Sequence, residues 1–133
     1  MTGLKTEIEI RIPHSVGALA RALAPLREAG INILAFIATG EYRHGRVTMV
    51  TQNNELARKE LKKAGFTVLE KEIVLSELPD RSGGLAEAAA FLAQAGINIK
   101  ACYGTKGIHG AYNVVFDTND NKKAVATLSR HYG

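Results

Sequence analysis

The pentapeptide AGINI stands at Ala29–Ile33 and again at Ala95–Ile99, 66 positions apart in a chain of 133 residues. Sliding the chain by 66 lays PHSVGALARALAPLREAGINILA, residues 13–35, over PDRSGGLAEAAAFLAQAGINIKA, residues 79–101. Thirteen of those 23 positions agree. His44–Gly45 and His109–Gly110 match again at an offset of 65. The chain is a tandem duplication of a unit of about 65 residues, and two copies are too few for a solenoid. Two small domains are therefore expected, residues 1–71 and 72–133.

Each copy reads as the same series of elements. Ile8, Ile10 and Ile12 alternate with Glu7, Glu9 and Arg11, a period-2 pattern for a half-buried strand. Pro13 stops it, having no N–H for a sheet ladder. Leu19, Leu23, Leu26 and the alanines between them recur at helical spacing, and Gly30 follows where a helix C-terminus wants a glycine. INILAFIA is a second strand, GEYRHG a hairpin and RVTMVT a third strand. Asn53–Asn54 caps a helix ending near Lys63–Ala64, and FTVLEK returns as a fourth strand. The order is βαββαβ, a ferredoxin-like sandwich with helices on one face of an antiparallel sheet. The fold class is α+β, two such sandwiches in tandem.

The second copy repeats EIVLSEL, a helix through Ala95, INIKACYGT, a turn, AYNVVFD and a helix from about Asn121. Nothing after Gly133 matches FTVLEK, so the second copy lacks a last strand of its own. That predicts an unpaired edge along EIVLSEL, open to FTVLEK or to a second chain. Apolar residues expected on the sheet face away from the helices, Leu34 and Phe36 among them, call for a cover, so the molecule is expected to be at least a homodimer.

Composition limits the function classes. No run of about 18 apolar residues exists for a transmembrane helix, and MTGLKTEIEIRI has no signal-peptide core. Cys102 is the single cysteine, so no intrachain disulfide forms and a reducing cytoplasm is expected. The net charge of +4 is spread along the chain, with small clusters at Lys62–Lys63 and Lys122–Lys123, which reads as solvated helix faces and no nucleic-acid surface.

With loops and order in place, the sequence resembles a tandem pair of ACT domains, small regulatory modules that bind amino acids. ELPDRSGGLAEAAAFLAQAGINI, residues 77–99, is similar to the family's PD+PG-L-----L---GINI pattern, and RIPHSVGALARALAPLREAGINI, residues 11–33, is a looser version. The resemblance runs from about Leu4 to Tyr132. It implies a sensor that holds a small ligand, commonly an amino acid, where the loop before the first helix meets the second strand of a neighbouring module. Carried onto this chain, the loop residues are His14, Ser15, Val16, Gly17, Ala18 and Leu19 in the first copy. In the second copy they are Asp80, Arg81, Ser82, Gly83, Gly84 and Leu85. The strand residues are Asn32 and Asn98. His14 stands where the second copy has Asp80, and Val16 and Ser82 replace the family's loop proline. The two sites are expected to be unequal, down to a first copy that does not bind.

These residue types suit the task. Gly83 and Gly84 open a helix whose first amides have no intrahelical acceptor, a ready site for a carboxylate. Asp80 can receive an ammonium, and the Asn98 amide offers both a donor and an acceptor. Each residue also has a plainer reading: Asp80 as a turn or N-cap residue, Gly17 and Gly83 as loop geometry, Asn32 and Asn98 as structural amides, His14 and Arg81 as solvated side chains.

Catalysis has less behind it. His14, His44, His109 and His131 have no metal-ligand partner at three- or four-residue spacing, and His44 and His109 precede glycine in turns. Cys102 lies near Lys100 without an evident base, and packing in the interior is the expectation for it. No Walker loop or dinucleotide fingerprint is present. No catalytic residue, metal or cofactor is expected. The reading is a non-enzymatic regulatory protein with an amino acid ligand. The competing reading is a regulatory subunit docked on an enzyme of amino-acid metabolism.

Overall fold

The computed structural model of the chain describes residues 2–106 and 110–133. Ten elements follow one another: β1 (Thr2–Pro13), α1 (Ala18–Glu28), β2 (Ile33–Glu41), β3 (His44–Thr51), α2 (Asn54–Lys63), β4 (Val68–Pro79), α3 (Gly84–Gln94), β5 (Ile99–Lys106), β6 (Ala111–Thr118) and α4 (Asn121–Tyr132). The fold is α+β, and the second half repeats the first without a final strand. His109 of the expected hairpin lies outside the described residues. Among the described residues no helix is long and apolar enough to cross a membrane.

Contacts divide the chain into two units, Thr6–Lys71 and Glu72–Gly133, the second joined by Met1–Lys5. In the first unit the strands lie in the order β2-β3-β1-β4, with Val68–Lys71 as the β4 contribution. In the second the order is β1-β4-β6-β5, where β1 contributes its opening residues. FTVLEK and EIVLSEL are not separate strands that could pair. They are the two ends of the 12-residue β4. The unpaired edge expected along EIVLSEL is therefore absent: β6 borders it on one side and the start of β1 on the other, where Thr2 Oγ1 lies 2.7 Å from Ser76 Oγ.

The period-2 pattern sets each core. In the first unit Ile8 stands opposite Met49 and Ile10 opposite Val47 in an antiparallel ladder. These side chains join Ile12, Ala18, Ala22, Leu26, Ala57 and Leu61 beneath the two helices. In the second, Val74 opposes Phe116, and both pack with Leu78, Val114, Ala88, Leu92, Ala124 and Leu128. Alanines at the helix contacts let each helix approach its sheet closely, and burying each large aliphatic contributes roughly 1.5–3 kcal/mol. Phe36 departs from its expected place. It opposes Met49, which puts it on the helix-bearing face, where it stays 66% exposed because β2 is the edge strand.

AGINI has a structural meaning in both copies. Gly96 (φ 76°) follows α3 in the left-handed region, with its amide bonded to Ala93 O at 2.9 Å and that of Ile97 to Leu92 O at 2.9 Å. Gly30 and Ile31 repeat the pattern with Arg27 O and Leu26 O, at 3.1 and 2.9 Å. This pair of bonds satisfies the last carbonyls of a helix and needs a residue without a Cβ at the glycine. The isoleucine then enters the core, Ile97 to 6% exposure.

Candidate functional site

In the second unit the chain leaves β4 at Pro79 and turns sharply before α3. Asp80 N–H bonds Gly110 O at 2.8 Å, Arg81 N–H reaches Pro79 O at 3.0 Å, and Gly84 N–H reaches Arg81 O at 3.0 Å. The turn is tight enough that a Cβ on Gly84 would stand 2.7 Å from the Pro79 carbonyl oxygen. Gly83 caps the helix with no side-chain bond. Of the amides expected to face a ligand at this helix start, that of Gly84 is thus spent inside the turn. Among the described residues no acceptor is found for those of Gly83 and Leu85, and both stand at the positive end of α3.

A cavity of about 610 Å³ opens beside this loop. Its walls are Arg81, Ser82, Gly83, Gly84, Leu85 and Ala86 from the loop and helix, Leu78 from β4, Cys102, Tyr103 and Gly104 from β5, and Tyr112 and Val114 from β6. Arg81 is held at its edge. Its Nη2 donates to Glu87 Oε1 at 2.9 Å, and Tyr132 O–H donates to the same oxygen at 2.9 Å. Partial burial, then the bond and negative charge of Glu87, push the Tyr132 phenol up to about 12. Neutral Tyr132 is therefore a steady donor across the physiological range.

The corresponding place in the first unit is smaller, about 200 Å³, lined by His14, Ser15, Ala18 and Leu19 with Ile12, Pro13, Ala38, Thr39, Gly40 and Gly45. The imidazole of His14 lies over Gly40, where any Cβ would strike it. His14 N–H is bonded to Arg43 O at 3.2 Å, Ala18 N–H to Ser15 O at 3.2 Å. Val16 is 98% exposed.

The structure gathers Arg81, Ser82, Gly83, Gly84 and Leu85 around one cavity and His14, Ala18 and Leu19 around the other. Asp80 and Gly17 adjoin these cavities without lining them. Asn32 and Asn98 stand apart. Each follows the C-terminal end of a helix whose N-terminal end carries the loop, about 16 Å away for 11 residues. Their main chains bind the next turn: Gln52 N–H to Asn32 O at 2.8 Å, Asn119 N–H to Asn98 O at 3.1 Å, and Asn98 N–H to Asn119 Oδ1 at 2.9 Å. Cys102, expected in the interior, is exposed on the edge strand β5 and lines the larger cavity. Partial desolvation pushes its thiol up, away from a reactive thiolate. Residue types alone did not single out Tyr103, Tyr112 or Glu87. Glu87 lies in the first turn of α3, next to the loop in sequence, whereas the places of Tyr103 and Tyr112 depend on how β5 pairs with β6. No group of three His, Cys, Asp or Glu able to hold a metal occurs among the described residues.

A duplicated βαββα unit with a glycine turn before its first helix matches the model of the ACT domain pair over residues 3–130. The chain belongs to the ACT domain pair family. Solved structures share its fold. A protein from Bacteroides thetaiotaomicron superposes with a TM-score of 0.90 at 22% identity, covering 98% of this chain and 90% of that one. The ligand-free regulatory subunit of aspartate kinase from Thermus thermophilus has a TM-score of 0.74 at 15% identity, covering 99% and 97%. The regulatory subunit from Thermus flavus has a TM-score of 0.64 at 16%, also covering 99% and 97%. Among curated proteins none matches the sequence. As an ACT pair, the chain presents a cavity of about 610 Å³ and a smaller one of about 200 Å³ at equivalent places in its two modules.

Proposed function

We propose that this ACT domain pair is a cytoplasmic, non-catalytic sensor of a free amino acid, and that the module of Glu72–Gly133 is the one that binds. The observation that carries this reading is the cavity of about 610 Å³ at the Arg81–Leu85 loop, set against about 200 Å³ at its counterpart. The amides of Gly83 and Leu85, without an acceptor among the described residues, and the Arg81 guanidinium suit a carboxylate. Leu78, Leu85 and Val114 suit the apolar part of a side chain. Asp80, beside the loop, suits the ammonium. His14 fills the equivalent room in the first module. In this reading the open side of the cavity is closed by the second strand of another copy of the chain, which brings Asn98 or Asn32 and makes the homodimer part of the site.

A ligand clamped this way favours the arrangement that closes on it, by the difference in its affinity for the two arrangements. Calorimetric titration with the twenty amino acids tests the reading. One of them binds, and Asp80→Ala weakens it more than His14→Ala does. Silence from all twenty at millimolar concentration ends it.

A second reading, a regulatory subunit docked on an enzyme of amino-acid metabolism, is favoured by the apolar edge of β2. Leu34, Phe36 and Ile37 are 40%, 66% and 42% exposed there. Two of the structural neighbours are themselves regulatory subunits of aspartate kinase. Recovery of the protein from native extract only with itself would remove this reading.

A further inference from the structure

The sheet face away from the helices of the first unit gathers positive charge that the duplication does not explain. Arg11 on β1 and Arg46 on β3 stand directly opposite each other in the ladder, both exposed. Opposed side chains in such a ladder start about 5 Å apart at Cβ, and like charges there are destabilising. Arg43 in the turn and His44 at the start of β3 join them. Arg11, Arg43 and His44 line two cavities of about 610 and 450 Å³, and Arg46 lines the smaller. Glu9 also lines both, 3.7 Å from Arg46 Nη1 and accepting from Thr48 Oγ1 at 3.4 Å. Among the described residues Arg11 and Arg43 make no ion pair. Among the described residues that line these two cavities, three guanidiniums, those of Arg11, Arg43 and Arg46, meet one carboxylate, that of Glu9.

The ladder position matching Arg11 and Arg46 in the second unit holds Glu77 opposite Asn113. The arginines therefore belong to the first unit alone. Keeping two of them face to face carries a cost in the free protein that one shared anion removes. We propose that this face is a second binding site, distinct from the amino-acid cavity, for a small molecule bearing a phosphate or similar polyvalent oxyanion. The planar guanidinium fork matches phosphate oxygens in pairs. Phe66 and Leu69 give the larger cavity an apolar wall for the rest of such a molecule. Its size is that of a small-molecule site. A nucleic-acid strand is disfavoured, because a neighbouring cavity is lined by the carboxylates of Glu7 and Glu9 as well as by Lys71, and Glu70 beside them is paired with Arg58 of α2 at 2.8 Å.

The test uses inorganic pyrophosphate and ATP as probes, titrated into the full chain at low ionic strength, with a single-stranded RNA as the comparison. The site predicts that at least one small probe binds and raises the melting temperature. It predicts that Arg11→Gln and Arg43→Gln each weaken that binding by about tenfold, the loss of one charge-assisted contact. Arg11→Gln without anion melts no lower than the parent, because it removes a repulsion, which also shows that the variant folds. Pyrophosphate alone binding as well as ATP places the contact on the phosphates, and tighter ATP binding adds the apolar wall. No binding of either probe, binding unchanged in both variants, or RNA bound more tightly than ATP would each overturn the proposal.

Discussion

Tyr132, near the end of α4, and Arg81, in the loop before α3, meet on a single oxygen. Both donate to Glu87 Oε1 at 2.9 Å. The last turn of α4 is thereby fastened to the mouth of the larger cavity, and the stacking of His131 on Phe91, ring centroids 3.5 Å apart, holds the same turn against α3. Tyr132→Phe removes one donor and leaves the ring. The expected loss of stability is about 1 kcal/mol by urea denaturation, with weaker binding of the proposed ligand as Arg81 loosens. Base stability follows from the raised phenol. The folded protein prefers neutral Tyr132, so this contribution is complete below the ordinary value of 10.0 and disappears as pH climbs towards about 12. Over that window the stability of the parent falls more steeply than that of Tyr132→Phe.

Gly84 is where the loop admits no side chain. A Cβ there meets the Pro79 carbonyl oxygen at 2.7 Å, and backbone cannot swing aside as a flexible side chain would. Gly84→Ala is expected to cost about 1–3 kcal/mol and to weaken ligand binding by reshaping the turn. Ala18 at the matching place already carries a Cβ, so Ala18→Gly is expected to leave binding unchanged. Thermal melts and calorimetry on the two variants check the contrast.

The duplication, the helix ends and the alternating cores were legible because each is a local or periodic property. Gly30 and Gly96 cap helices through bonds spanning five residues, and Ile8, Ile10 and Ile12 alternate within one strand. The fate of β4 was not legible. A run of 12 strand residues reads as two short strands once the repeat boundary is drawn through it, and only the ladder shows that β1 stands beside both ends. At the site the loop residues followed from the repeat, since a helix N-terminus is a local feature. Tyr112, Cys102 and Tyr103 reach it from β6 and β5, and their places depend on strand register. Arg11 and Arg46 illustrate the same limit: 35 positions apart in the sequence they look scattered, and one ladder pair joins them.

The two cavities give opposite expectations for equivalent residues. Leu85 and Leu19 hold the same place in the repeat and are 55% and 40% exposed. Leu85→Trp puts an indole into the larger cavity and is expected to abolish binding of the proposed ligand, whereas Leu19→Trp borders the smaller cavity that His14 lines and is expected to leave binding intact. The thiol of Cys102 reports occupancy directly, because it lines the larger cavity and no other cysteine competes. Saturating ligand should slow its alkylation at least tenfold in the parent and in Leu19→Trp. Equal effects of the two tryptophans on calorimetric binding would show that the modules share the work.

Two asparagines carry more stability than their place on helix ends suggests. Asn121 Oδ1 accepts from Thr118 N–H at 3.0 Å and from Thr118 O–H at 2.7 Å, while its Nδ2 donates to Glu72 O at 3.0 Å. Asn54 repeats the arrangement with Thr51 N–H at 2.9 Å, Thr51 O–H at 2.6 Å and the carbonyl of Thr6. Each amide thus joins the end of one strand to the middle of a neighbouring one, next to a threonine no more than 6% exposed. Removing it takes the acceptor from both the threonine amide and the threonine hydroxyl proton, while the hydroxyl oxygen keeps only the bond it accepts from Asn53 N–H at 3.2 Å or Asp120 N–H at 3.1 Å. The preceding residues, Asn53 and Asp120, each cap the helix with one bond, at 3.1 Å, on the exposed side. Asn54→Ala and Asn121→Ala are therefore expected to cost roughly 2–3 kcal/mol each, and Asn53→Ala and Asp120→Ala about 1 kcal/mol. Urea denaturation of the four variants measures the difference, and equal losses would mean that these amides act only as helix caps.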